Sequence, residues 1–183
     1  MEWSEGLTGT QMSADDPQQM LTQLLARAEQ RYGQRAHEVE FDVREEANAA
    51  IRVEPRNEAL TKVTVYIQAR IDQNQRRFQL ALEGFHLLSM VPRHEVTSFE
   101  EGLSQIFALS ETVGLLPSND VHYKKARELC QRLLAECGDD IVRRLREIQP
   151  YISRITPTQI IDLCPEFPKA DAESLCQRWP YYQ

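Results

Sequence analysis

The run KVTVYIQARID at 62–72 limits the fold more than any other stretch. Val63, Val65, Ile67, Ala69 and Ile71 alternate with Thr64, Tyr66, Gln68 and Arg70. A two-residue period held over nine positions puts one face of a strand in a core and the other toward water. The polar run Asp72–Gln75 follows, rich in turn formers. Phe78, Leu80 and Leu82 then alternate with Arg77, Gln79 and Ala81. With a loop on Gln73–Asn74 the two arms form a hairpin in which Ala69 faces Phe78, Ile67 faces Leu80 and Val65 faces Leu82. A slip of one residue would turn one apolar set to water. Phe78, Leu82 and Phe85 also fit one face of a helix, which is the rival reading of 76–90.

Other elements follow from caps and periods. Asp16 before Pro17 is a helix start, and Met20, Leu21, Leu24, Leu25 and Ala28 make its stripe, ended at Gly33. Val39, Phe41 and Val43 alternate with acids, and a further short strand is expected around Ala50–Val53. Gly84 reads as a bulge in a strand that continues toward Pro92. Ser98 and Glu101 have capping-box spacing, Asn119 or Asp120 caps a longer helix, a shorter helix covers 140–149, and Thr156-Pro157 and Asp171 open two more. The expected architecture is α+β: one helix, a four-stranded, mainly antiparallel sheet (about 38–44, 49–54, 62–71 and 76–86), then a multi-helix C-terminal half. Residues 1–14 read as a disordered tail in which Trp3 is the exception, and 15–183 as one domain with a helix-and-sheet part (15–91) and a helical part (97–183).

Charge narrows the partners. The net charge is −7, and residues 1–58 hold 12 acids against 6 bases while 119–183 hold ten of each. An acidic front half argues against phosphate-backbone binding and favours either solubility, as a solvated acidic surface, or a protein partner with a basic surface. The only basic concentration, Lys124, Lys125, Arg127, Arg132, Arg143, Arg144 and Arg146, is interleaved with acids and lacks stacking aromatics, so it reads as a solvated helix face. No apolar run reaches membrane-span length and no secretory leader is evident, which makes the cytoplasm the expected location. The four cysteines form no C-x-x-C and read as reduced core residues.

Chemistry is harder to place. His94-Glu95 lacks the second histidine of H-E-x-x-H, and neither a nucleophile elbow nor a phosphate-binding glycine loop is present. No catalytic residue, cofactor or metal site is assigned. In the hairpin register Arg70 lies opposite Arg77, an unfavourable pair that Glu38, Glu40 and Asp42 of a neighbouring strand, or an acidic partner, could neutralise. Tyr66 sits beside them. The chain end WPYY holds Trp179, Tyr181 and Tyr182, more aromatic surface than solubility needs. They either fold back or dock on another chain or a second copy of this one. Arg70, Arg77, Tyr66, Trp179, Tyr181 and Tyr182 are therefore the candidate partner-binding residues. The expected function is non-catalytic protein–protein interaction, as an adaptor, chaperone-like, immunity-type or assembly subunit. The alternative is a small-ligand-binding domain or enzyme with a pocket between sheet and C-terminal helices, with Arg70, Arg77 and His86 as its first candidates.

Overall fold

The first helix forms as its cap demands. The Asp16 carboxylate accepts from the Gln18 amide at 3.1 Å, and α1 runs Pro17–Tyr32 with Met20, Leu21, Leu24, Leu25, Ala28 and Tyr32 buried. The structure, a computed structural model, describes residues 16–47 and 52–182. The tail expected at 1–14, with Trp3, lies outside them.

Three strands follow among the described residues: β1 (Glu40–Glu46), β2 (Arg52–Pro55) and β3 (Lys62–Gln68). The order in space is β1-β3-β2, with β1 parallel and β2 antiparallel to β3. The four-stranded, mainly antiparallel sheet is thus corrected to a three-stranded mixed one. The alternating run does lie at its centre: Val63, Val65 and Ile67 are fully buried against the helices. Part of the strand expected at 49–54 lies outside the described residues.

The second arm of the hairpin is a helix, α2 (Gln73–His86). Asp72, read as a turn residue, is its N-cap and accepts from the Gln75 amide at 2.8 Å. Arg70, at φ 60°, turns the chain out of β3. Six alternating residues, 77–82, are too few to separate period 2 from period 3.6, and the capped helix buries Gln79, Leu80, Ala81, Gly84 and Phe85 together. Gly84 is therefore no bulge. It is a helical contact with α1, where an added Cβ would lie 2.8 Å from Leu21 Cδ1.

The helical half comprises α3 (Ser98–Ser110), α4 (Val121–Cys137), α5 (Ile141–Ile148), α6 (Pro157–Leu163) and α7 (Lys169–Leu175). Asp120 caps α4 through the amides of His122 and Tyr123, and Thr156 with Gln159 forms a capping box on α6. The box expected from Ser98 and Glu101 does not form, because Thr97 occupies the N-cap and Glu101 is buried. At Gly102 a Cβ would meet Ala126 O at 2.5 Å, so α3 and α4 pack at backbone contact. No helix among the described residues is long and apolar enough to cross a membrane.

Two features tie distant segments together. The buried Arg146 guanidinium donates to five carbonyls: Tyr32 (3.0 Å), Gly33 (2.7 Å), Gln34 (2.7 Å), Leu88 (3.0 Å) and Pro150 (3.1 Å). Burial pulls its pKa down to about 10, still well above neutrality. Cys137 and Cys164 form a disulfide with Cα atoms 5.7 Å apart, within the normal span. This corrects the reading of all four cysteines as reduced; Cys130 and Cys176 are free.

Arg146→Ala removes a donor from five carbonyls, all outside its own helix, and of these Leu88 O keeps the Ala36 amide at 2.8 Å. The expected loss is about 3 kcal/mol or more of unfolding free energy, measured by urea denaturation, with Arg146→Lys recovering only part. Reducing the Cys137–Cys164 loop should cost about 3 kcal/mol on the chain-entropy scale. Denaturation midpoints with and without dithiothreitol, compared with those of Cys137→Ser, would measure it.

Candidate functional site

The site grows from the way α3 is buried. Its N-terminal half lies between α2 and α4 with every residue from Phe99 to Gln105 buried, so polar as well as apolar side chains face protein. Glu100 and Glu101 occupy its first turn, where the positive end of the helix dipole favours carboxylates. Opposite them α2 offers Glu83 and His86, one turn apart and on the same face.

His86 Nδ1 lies 2.7 Å from Glu100 Oε1, and His86 Nε2 lies 3.7 Å from Glu101 Oε1. The other Glu100 oxygen accepts from Ser153 Oγ at 2.5 Å, and Ser153 Oγ in turn accepts from the Thr97 amide at 2.9 Å. Glu100 is thereby held from both sides.

Burial favours the uncharged form of each of these groups. For His86 it is outweighed by the hydrogen bond to Glu100 and the charges of Glu101, Glu100 and Glu83, which lift the pKa to about 10. The imidazole is therefore a cation at neutral pH. Burial pushes Glu83 up to about 7 despite the opposing pull of His86. Glu101 is also raised by burial, with His86 and the Tyr182 hydroxyl acting against it.

Two cavities meet at this cluster. A small one of about 70 Å³ lies between β2, α2 and the 90–96 connection, with Val53, Met90 and Glu100 in its wall. A larger one of about 320 Å³ is lined by Glu83, Glu101, Gln105, Tyr123, Tyr181 and Tyr182. His86, Glu83, Arg93 and Tyr182 border both. In the wall of the larger cavity, Glu101 and Gln105 each carry a buried oxygen, Oε1, that makes no hydrogen bond among the described residues.

The candidate residues read from the sequence separate clearly. Tyr181 and Tyr182 line the larger cavity. Trp179 is buried behind them, its ring centroid 4.8 Å from that of Tyr123. The aromatic end therefore folds back on the body: Trp179 N donates to Val96 O at 2.8 Å, and Tyr181 hydroxyl donates to Asp120 at 2.5 Å. Arg70 and Arg77 do not face each other. Arg70 is exposed in the β3–α2 connection, and Arg77 pairs with Glu111 at 2.8 Å. The neutralising contact expected from Glu38, Glu40 and Asp42 does not form: Glu38 pairs with Arg35, Glu40 with Arg56 and Lys62, and Asp42 with Arg44 and Arg56, while Glu45 of β1 pairs with Arg76 at 3.0 Å. Tyr66 carries the Arg52 guanidinium over its ring at 4.0 Å. The basic concentration does not form one face: Arg127 and Arg146 are buried, and Arg132 pairs with Glu136 and Asp171.

Glu83, Glu100, Glu101, Gln105 and Tyr123 were not read from the sequence as site residues. One signal was available. Leu82-Glu83-Gly84-Phe85-His86 keeps the glutamate and second histidine of H-E-x-x-H spacing, with leucine at the first ligand position. That substitution removes one ligand of such a set, and among the described residues no group of three or more His, Cys, Asp or Glu is placed to hold a metal ion. The chain matches no protein-family model, no curated protein and no solved structure.

The cluster fixes the sign of a pH effect. A raised Glu83 pKa favours the folded state at low pH, an advantage lost between the unfolded carboxylate value and about 7. A raised His86 pKa contributes below its unfolded value near 6.5 and is lost toward about 10. Both slopes point the same way. The melting temperature should therefore fall as pH rises from 5 to 9, and Glu83→Gln should flatten the part below pH 7. A melting temperature that rises across this range would reject the assignment.

Proposed function

We propose that this chain is a non-catalytic binding protein whose partner is another protein with a basic surface. The observation that carries this reading is the acid-lined cavity at the α2–α3 junction, where Glu101 and Gln105 present buried oxygens without hydrogen bonds. Buried acceptors without donors are costly, and a basic partner supplies donors. The excess of 28 acids over 21 bases attracts such a partner over distance and speeds encounter. Val113, Leu116 and Val121, exposed on and beside the α3–α4 connection, favour a macromolecule over a free metabolite. Compartment is a separate matter. The cytoplasm expected from the sequence sits uneasily with the Cys137–Cys164 bond, since structural disulfides persist mainly in oxidising surroundings.

A second reading has its own support. Glu83, with its pKa near 7 at the wall of both cavities, has the acidity that a general acid or base at neutral pH needs. A small-ligand domain or enzyme with a pocket between sheet and C-terminal segment would use it.

Fluorescence anisotropy with labelled twelve-residue peptides tests the first reading. Lys- and Arg-rich peptides should bind and Asp- and Glu-rich ones should not, with affinity falling several-fold as salt rises from 50 to 300 mM. Equal binding of acidic and basic sets, or none by either, would overturn it.

A further inference from the structure

We infer that the larger cavity seats one cationic nitrogen group, an ammonium or guanidinium, whose N–H donors bond Glu101 Oε1 and Gln105 Oε1. The inference deepens the proposed function and rests on it for the source of that group, a lysine or arginine side chain of the partner.

Four independent features point to this chemistry. The first is hydrogen-bond supply. Glu101 and Gln105 are 3% and 5% exposed, yet among the described residues an oxygen of each lacks any donor. They lie one turn apart on α3 and line the same space. Glu101 Oε1 has the His86 ring at 3.7 Å, which is ion-pair distance but outside hydrogen-bonding reach. Both oxygens accept only, so the missing group must donate.

The second is charge. Three carboxylates, Glu83, Glu100 and Glu101, surround the cluster, against two cations, His86 and Arg93. Burial disfavours the ionised forms of Glu83 and Glu101, and a cation seated beside them restores those forms. Each oxygen of Glu100 already has a donor, His86 or Ser153, and Glu83 and Glu101 are the carboxylates that line the larger cavity.

The third is the aromatic lining. Tyr123, Tyr181 and Tyr182 border the cavity, and tyrosine faces attract cations. Tyr182 already shows this, with the Arg93 guanidinium 4.3 Å from its ring centroid. The fourth is size. A space of about 320 Å³ exceeds what one bridging water fills and sits at the small end of ligand pockets. A single extended basic side chain or a small amine suits it.

The test uses the full-length oxidised protein, isotope-labelled and titrated by NMR with butylguanidinium, butylammonium and the uncharged control pentanamide. The two cations should shift the Gln105 side-chain amide and the Tyr181 and Tyr182 rings in a saturable manner. Pentanamide should bind at least tenfold more weakly. Glu101→Gln should weaken cation binding at least tenfold. Gln105→Leu removes a buried unpaired acceptor, so it should keep or raise the melting temperature while weakening the cations several-fold, which separates loss of binding from loss of fold. Cations that bind no better than pentanamide, or that bind Gln105→Leu and Glu101→Gln as well as the parent, would overturn the inference.

A blocked Gly-Arg-Gly tripeptide separates the sources. Binding of the tripeptide at the same resonances supports a side chain as the ligand. Butylguanidinium binding without the tripeptide keeps the cation site and overturns the protein partner. Basic peptides that bind by anisotropy while neither small cation reaches the cavity would leave the proposed function standing and this inference rejected.

Discussion

The fold depends on one buried cation. Arg146 sits where the C-terminal end of α1, the segment after α2 and the end of α5 converge, and each brings carbonyl oxygens beyond the reach of its own helix's hydrogen bonds. A guanidinium has five N–H donors in one plane, and all five are used here. An apolar side chain would fill the space but leave the carbonyls dry. A carboxylate partner would compete with them. The carbonyl dipoles of the converging segments supply negative potential instead, and the charges of Glu100 and Glu29 act with them against the burial that lowers the pKa.

The same rule, that a buried charge must be surrounded before it is tolerated, operates a second time at the α2–α3 junction with the signs reversed. There carboxylates dominate and His86 is the cation among them. Glu100 is fully engaged and Glu101 is not. The contrast between neighbouring residues of one helix turn matters. It locates the point at which packing was completed for structure and the point at which it was left open.

Local rules made much of the architecture legible. The Asp16-Pro17 start, the stripe of α1, the Asp120 cap and the Thr156 start depend on residues within one or two turns of each other, and sequence displays such proximity directly. The alternation of β3 was readable because nine residues sustained it. The α2 segment was misread because Asp72 serves a turn and a helix cap equally well, and only the packing of Leu80, Ala81 and Phe85 against α1 and α3 decides between them. The parallel pairing of β1 with β3 was hidden for the same reason, since strand order is a property of contacts distant in sequence. The acid cluster was the least visible part. Glu100 and Glu101 look like ordinary first-turn helix acids until α2 and α4 enclose them, and only the Glu83–His86 spacing hinted at a shared face.

The strand order β1-β3-β2 also determines how this molecule presents itself to other chains. Both outer strands are edges, and both are written in charges: Glu40, Asp42, Arg44, Glu45 and Glu46 on one, Arg52 and Glu54 with the donorless Pro55 on the other. Arg56, Lys62 and Arg52 knit these acids into a lattice of ion pairs across the outer face. Unpaired backbone groups at a sheet edge invite strand-by-strand growth, and charge and proline are the usual defences. The central strand, the most aggregation-prone segment of the chain by composition, is thus shielded on both flanks. The helical side of the molecule, by contrast, turns side chains rather than strand backbone outward.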